Sequence, residues 1–541
     1  MSAKLRLHAA RATFVSLAVI LALAVVALVA LSRAPAASAG PSQTSKVTGT
    51  WSDPAGACVA HIISFDPSTG DFVCTGTSHW TGTWTGSTTW TLTGNQSPTT
   101  GAVSGRIDEV FKGHVADGTT GTLTFVEHIT IDPAGNTDIR GSIVDSSGGL
   151  AHSQGHARWI GISNPDGSGS GSYFGQWHQG QPRCGDTITT DATLHHDLVN
   201  CPNNGIVIGA DDVTLDLNYH RIDGDETPAA GCDPDTEFCD VGVLNNGHDD
   251  VTVVHGSVRE FLVGVWGLRV SHNRLLGISS SENECCGLGF FRGTRSVIRN
   301  SSGRGNGAPD EGNGMFLIAS HHVRVLHSSF RNNGDGIFVG VKGGESTHNL
   351  IKGNVLSRNS NALVLESSDR NRVRRNRSLR DGTGVLVALH GAQRNVIARN
   401  RIVHPTQARG GDGQGIVVPR GAHNVIARNS IRDPSRNAIA VGGEGVRGVG
   451  NVVRRNHVRG AGKDGVKVGG QAERTLLRGN RVRQSRDDGF DVASRTAKFT
   501  RNRAVGNGDL GIEAVRGVID GGGNKASGNG DLRQCTNIVC S

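Results

Sequence analysis

Three short strings near the C-terminus gather the side chains best suited to chemistry: Asp464-Gly465-Val466-Lys467, Asp487-Asp488-Gly489-Phe490-Asp491 and Gly511-Ile512-Glu513. The carboxylates Asp464, Asp487, Asp488 and Asp491 are the oxygen ligands that a hard cation such as Ca²⁺ takes. Lys467 is a cation that, once desolvated, can serve as a base with a lowered pKa. A uronate lyase needs both parts: positive charge to neutralise the sugar carboxylate and acidify the adjacent C–H, and a base to take that proton. Lys467 is therefore the candidate catalytic residue, and Lys467 and Glu513 are the candidate substrate contacts. Plainer readings compete. Lys467 and Asp491 on neighbouring strands make an ordinary ion pair of about 0.2–1 kcal/mol, and Asp-Gly is common turn chemistry. Two carboxylates could also serve hydrolysis, where a separation of about 5 Å selects retention and 6.5–9.5 Å inversion.

What must position these groups is a repeat. An apolar pair, two polar residues and an Asn recur as Asn395-Val396-Ile397-Ala398-Arg399-Asn400, Asn424-Val425-Ile426-Ala427-Arg428-Asn429 and Asn451-Val452-Val453-Arg454-Arg455-Asn456. Aligned copies place equivalent positions at Asn218, Gly256, Asn273, Asn300, Ser328, Asn354, Asn376, Asn400, Asn429, Asn456, Asn480, Asn502 and Asn524, with later steps of 22 to 29 residues. That period, built from very short alternating apolar runs without a helical pattern, predicts a solenoid whose turns pair vertically. The recurrent Asn suits a tight bend with left-handed dihedrals, and stacked copies can form an amide ladder. In such a coil, the residue after each Gly-led apolar position forms an outward column: Phe338, Val364, Leu386, Val417, Ala440, then Lys467, Asp491, Glu513. The column before the Gly reads Asp335, Asn361, Thr383, Gln414, Asn437, Asp464, Asp488. The face thus turns from apolar or neutral to densely charged in its last three coils. An exposed apolar row usually marks a contact surface.

Residues 45–178 have another texture. Thr81-Gly82-Thr83-Trp84-Thr85, Gly121–His128 and Gly141-Ser142-Ile143-Val144 alternate at period two between Gly- and Asp-Gly-type turns, which predicts a small antiparallel β-barrel. Asp108, Glu109, Glu127 and His128 could line its interior or decorate its outside. The run 179–183 reads as a linker, and 184–541 as the coil.

Resemblances add to this. The strings Thr81–Thr85, Arg106-Ile107-Asp108-Glu109 and Gly121–His128 resemble an uncharacterised bacterial family with a lipocalin-like or allene-oxide-cyclase-like barrel, which implies a fold and no chemistry. The Asn phrase, with Asp212-Val213-Thr214-Leu215-Asp216-Leu217-Asn218, is similar to the right-handed parallel β-helix proteins of the pectin-lyase-like group. That group spans lyases, hydrolases, epimerases, tailspikes and non-catalytic binders, so membership selects no reaction. The Asp487–Asp491 string with Asp464 one turn earlier looks like the calcium-binding carboxylates of family 9 pectate lyases. In that family the base is a lysine on a later turn. Here Glu513 holds that column and Lys467 lies one turn before.

Composition sets the destination. Residues 1–39 read as a signal peptide: basic Lys4, Arg6 and Arg11, an apolar run from Phe14 to Leu31, then Ala37-Ser38-Ala39 as cleavage site. The apolar run is long enough that an uncleaved membrane anchor is the rival reading. No later segment is apolar enough to span a bilayer. Ten cysteines fit an oxidising compartment. Their spacings suggest the disulfides Cys58–Cys74, Cys184–Cys201 and Cys535–Cys540, leaving Cys232, Cys239, Cys285 and Cys286 as a cluster without assigned partners. Zinc is the rival reading for that cluster. The net charge is +7, with residues 41–180 acidic and the coil basic. A basic coil favours acidic polymers, unless its arginines only solubilise a β-surface and block edge pairing. Arginines without interleaved aromatics argue against nucleic acid. His195-His196, His321-His322 and His404 show no metal spacing, and no serine-hydrolase, nucleotide-loop or zinc-peptidase motif occurs. The sequence reading is a secreted barrel-plus-β-helix protein that engages acidic polysaccharide, with calcium as its cofactor and lyase chemistry if it cleaves. The rival is a non-catalytic surface or adhesion protein using the coil as a platform.

Overall fold

The computed structural model describes residues 45–116, 118–151, 153–178, 181–189, 191–227, 238–307, 311–340, 345–388, 392–407, 410–443 and 447–541. The expected leader and Cys232 lie outside the described residues. Among these residues no helix is long and apolar enough to cross a membrane. The described chain is all-β apart from one 3₁₀ turn, Val59–His61. The described residues divide into two compact units, one within 45–196 with 212–216 and one within 197–211 with 217–541.

The first unit is a closed antiparallel barrel. Its strands are β1 (Ser45–Asp53), β2 (Ile62–Phe65), β3 (Asp71–Gly82), β4 (Trp84–Gln96), β5 (Val103–Val115), β6 (Thr120–Ile131), β7 (Asn136–Gly148), β8 (Gln154–Ser163) and β9 (Gly169–His178). Strand β1 pairs with both β9 and β3, which closes the ring; β2 only flanks β3. Period-two alternation drives one face inward, as on β5, where Ile107, Glu109 and Phe111 are buried between exposed neighbours. The interior is aromatic: Trp80 lies 5.3 Å from Phe111, and Trp84 stacks on Tyr173 at 5.4 Å. The Tyr173 hydroxyl donates to the Trp84 carbonyl at 3.0 Å and accepts from its N–H at 2.8 Å. Gly49 is required here, since a Cβ would collide with the Tyr173 ring and the Thr81 carbonyl.

The second unit is a parallel β-helix. Along one sheet the register runs Val243↔Val265↔Leu288↔Met315↔Ile337↔Leu363↔Val385↔Ile416↔Ile439↔Val466↔Phe490↔Ile512, one residue per coil, all buried. A second sheet takes two three-residue strands from most coils, such as Val452–Arg454 and His457–Arg459. Between those strands sits the ladder Asn354–Asn376–Asn400–Asn429–Asn456–Asn480–Asn502–Asn524. At each step one Oδ1 accepts both the backbone N–H and the Nδ2 of the preceding Asn, at 3.0 and 3.0 Å for Asn400 on Asn429. The same Nδ2 groups also reach carbonyls of the previous coil, as from Asn429 to Ile397 at 2.9 Å. Every amide is thereby saturated in a dry interior, where an unpaired one would be costly.

Two expectations about the repeat need correction. The left-handed residue at this bend is not the Asn but the residue before it: Arg375, Arg399, Arg428 and Arg455 have φ of 58°, 59°, 57° and 54°. The Asn must point inward to stack, so its exposed predecessor turns the chain. In the earlier coils the rung is also one position off. Ser328 follows Ser301, not Asn300, because Ser301 N–H donates to Ser328 Oγ, and Ile278 N–H donates to Ser301 Oγ. Asn273 belongs to a different corner, accepting from Val251 N–H at 3.0 Å.

The disulfides Cys58–Cys74 and Cys535–Cys540 form as expected. Cys285 bonds its neighbour Cys286, and Cys184, Cys201 and Cys239 are each disulfide-bonded. With Cys239, Cys285 and Cys286 oxidised, the zinc reading of that cluster loses its thiolate ligands.

Candidate functional site

The outward column forms as the sequence implied, carried by in-register pairing: Phe316↔Phe338↔Val364↔Leu386↔Val417↔Ala440↔Lys467↔Asp491↔Glu513. Its apolar part is not an open surface. Val364 and Val417 are only 5% and 7% exposed, and Phe338 and Leu386 are half-buried. The charged end is the accessible end.

There the cluster assembles from three successive coils. Asp464, Asp487 and Asp488 converge, with one carboxylate oxygen of each within 4.8 Å of the others. Asp464 is buried; its backbone N–H donates to Asn437 Oδ1 at 3.1 Å, which fixes the approach to Gly465. Its Oδ2 is buried without a hydrogen-bond partner, and the nearest cation, Lys467 Nζ, is 3.6 Å away. Asp491 is drawn elsewhere, to Lys467 Nζ at 2.6 Å. Of the four carboxylates expected around a cation, three therefore meet and Asp491 faces the lysine. Asp488 is buried, accepts from Leu510 N–H at 2.9 Å and touches Glu513, which is exposed on the next coil.

Electrostatics follow from this burial. Desolvation pushes Asp464 up to about 6, although the Lys467 charge opposes it. Desolvation pushes Asp488 up to about 8, and the hydrogen bond with Glu513 and that group's charge add to the rise. A cation bound there would have to displace the proton that burial favours on Asp488. Burial acts to lower Lys467, but the hydrogen bond to Asp491 and the charges of Asp491 and Asp464 outweigh it, so its pKa is raised. Lys467 is thus a fixed positive charge, not the neutral amine that a lysine base requires. The Asp488–Glu513 contact was missed from sequence, because these residues stand in different columns. Ser485, whose Oγ is buried without a partner and lies beside Gly465, was also missed, and no motif marks it.

Does the cluster suit a metal? The Asp464 carboxylate, whose buried Oδ2 has no hydrogen bond and only the Lys467 ion pair, converges with two further carboxylates, a donor set that fits a hard cation such as Ca²⁺. An all-oxygen donor set does not favour a soft metal.

In the barrel, Glu109 and Glu127 point inward while Asp108 and His128 lie on the exposed face; Asp108 pairs there with Arg106 at 2.6 Å. The four residues that could have lined the interior or decorated the outside therefore split in two, as alternation requires. Desolvation raises Glu109 to about 7, and desolvation with the Glu109 charge raises Glu127 well above the ordinary carboxyl value. The histidines do other work: His321 Nδ1 meets Thr347 Oγ1 at 2.9 Å, the His322 ring stacks on His348, and His404 approaches Asp433.

Residues 242–442 match the family described as periplasmic copper-binding protein (NosD), and residues 406–535 match the right-handed β-helix region. No curated protein matches the chain by sequence. Among solved structures, the DFA-IIIase of Arthrobacter chlorophenolicus A6 in complex with GF2 is similar at 14% identity over 52% of this chain and 67% of that one, with a TM-score of 0.33. The mannuronan C-5 epimerase AlgE6 A-module of Azotobacter vinelandii is similar at 12% identity, 62% and 80% coverage and a TM-score of 0.34. The periplasmic alginate epimerase AlgG gives 16%, 61%, 81% and 0.34. Taken with the one-per-coil register and the stacked Asn ladder, the family matches make this chain a right-handed parallel β-helix repeat protein, preceded in sequence by a closed antiparallel β-barrel.

Proposed function

We propose that this is a secreted protein that binds an acidic polysaccharide on the last coils of its β-helix. Asp464, Asp487 and Asp488 would hold Ca²⁺, and Lys467 and Glu513 would meet the sugar. The observation that carries this is the convergence of three carboxylates, one of them with a buried oxygen that no hydrogen bond satisfies, with a charged lysine beside them. A hard cation and an ammonium together neutralise a uronate carboxylate, which binds it and acidifies its neighbouring C–H. Export is supported by the disulfides and by the leader pattern.

For cleavage, a base is also needed. Lys467 is held charged by its two carboxylate partners, so it neutralises rather than abstracts. Glu513, in the matching column of the next coil, is the remaining group placed for the proton. Binding without cleavage is the second reading, and the raised Lys467 pKa favours it.

The test is incubation with polygalacturonate, alginate and glucuronan, with and without Ca²⁺, following ultraviolet absorbance of the unsaturated product and, separately, co-sedimentation. Calcium-dependent binding to a uronan, lost in Asp464→Asn, supports the proposal. Product release lost in Glu513→Gln assigns a lyase. No binding to any of the three, with Ca²⁺ present, removes the polysaccharide reading.

A further inference from the structure

The second sheet of the β-helix stacks like charges in register. One row runs Arg432↔Arg459↔Arg483 and another Arg481↔Arg503↔Lys525, one side chain per coil. All six are exposed, on strands whose central residue alone is buried. Vertical neighbours in a parallel sheet stand about 4.8 Å apart, and like charges directly opposite one another destabilise the pair. Among the described residues the ion pairs of these coils are His404–Asp433, Arg447–Glu473, Lys467–Asp464, Lys467–Asp491 and Arg533–Asp531, which involve none of the six. The sole polar side-chain contact within the rows is Arg459 Nε to Gln484 Oε1 at 2.8 Å. Surface arginines that served solubility alone would be better interspersed with acids than stacked on each other.

We infer that this arginine face is a docking surface for a linear acidic polysaccharide, laid along the coil axis with successive carboxylates on successive rungs. The rung spacing is close to the length of one sugar unit in such a chain, so a uronan can place one anion per coil. The outward positions of these strands carry no Phe, Tyr or Trp, and unpaired nucleic acid would need aromatic platforms for its bases. Charge complementarity without stacking is therefore matched to a carboxylated glycan. The face belongs to a different sheet from the Asp464 cluster, and the inference does not depend on that cluster binding anything.

The test uses the full mature chain and fluorescent polygalacturonate in calcium-free buffer across a sodium chloride series. Affinity should fall steeply with salt. The triple variant Arg459→Gln, Arg481→Gln, Arg483→Gln should bind at least tenfold more weakly at low salt, with a log–log salt slope shallower by about one per arginine engaged. The corresponding Arg→Lys triple should retain the wild-type slope, and Arg106→Gln, on the exposed face of the barrel, should bind as wild type. Wild-type affinity in the Gln triple overturns the inference. So does tighter binding of single-stranded DNA or inorganic polyphosphate than of polygalacturonate at equal salt.

Discussion

Asn429→Ala tests the element on which every site above depends. Asn429 Oδ1 accepts Asn400 N–H and Nδ2, both at 3.0 Å, and its own Nδ2 donates to Ile397 O at 2.9 Å and Asn456 Oδ1 at 3.0 Å. In the alanine variant Asn400 Nδ2 keeps Val373 O, and Asn456 Oδ1 keeps the Asn429 N–H. The buried Asn400 N–H loses its acceptor. One orphaned buried donor costs about 1–3 kcal/mol, and each further lost bond about 0.5–1.5 kcal/mol. With three such further bonds lost, the sum is about 2.5–7.5 kcal/mol, a large part of the stability of an ordinary domain. Asn429→Asp should be no better: it keeps the acceptor but removes both donors. In a neighbouring stack, Asp381 Oδ1 accepts the backbone N–H and Nδ2 of Asn359 at 2.9 and 2.9 Å, and there an Asp succeeds because Ser378 Oγ and Leu379 N–H cover its second oxygen, at 2.7 and 3.1 Å. The assay is urea unfolding followed by far-ultraviolet circular dichroism, compared with Asn300→Ala, which lies outside the ladder. A midpoint for Asn429→Ala equal to that of Asn300→Ala would refute the ladder as a stabilising element.

Three further outcomes follow from the geometry. Calorimetric Ca²⁺ titration should show binding in the wild type and at least tenfold weaker binding in Asp464→Asn and in Asp488→Asn; equal affinities would remove the cation site. Lys467→Met should weaken uronan binding while changing stability by about 1 kcal/mol or less, because the lysine is partly exposed and its ion pairs are screened; an unfolded variant would mean the lysine is structural. In the barrel, Glu109 and Glu127 have raised pKa values, so their protonated forms are the ones the fold favours. Both contributions are complete below the unfolded carboxyl value; that of Glu109 is lost as pH rises through about 7, and that of Glu127 as pH rises through its own raised value. The barrel should accordingly melt at a lower temperature at pH 8 than at pH 5, read by tryptophan fluorescence, and Glu127→Gln should flatten that dependence.

Much of this was legible in the residues themselves. Vertical pairing every 22 to 29 residues is a property of the repeat, so the column Lys467–Asp491–Glu513 could be written down before any coordinates and appears in register. The same holds for the barrel, since period-two alternation specifies half-buried strands. What the residues did not reveal was how side chains in adjacent columns share space. Asp491 turns to Lys467 while Asp487, from outside both columns, joins Asp464 and Asp488. Only packing across coils decides which carboxylates meet. The corner geometry was misjudged for a related reason: an Asn can either adopt φ > 0 or stack its amide inward. Here the stack wins, and the strain passes to Arg375, Arg399, Arg428 and Arg455. Sequence alone determined the coil, the barrel and the charged end. Tertiary structure decided protonation and ligand grouping, because those depend on burial and on distances between residues that the chain brings together only by winding.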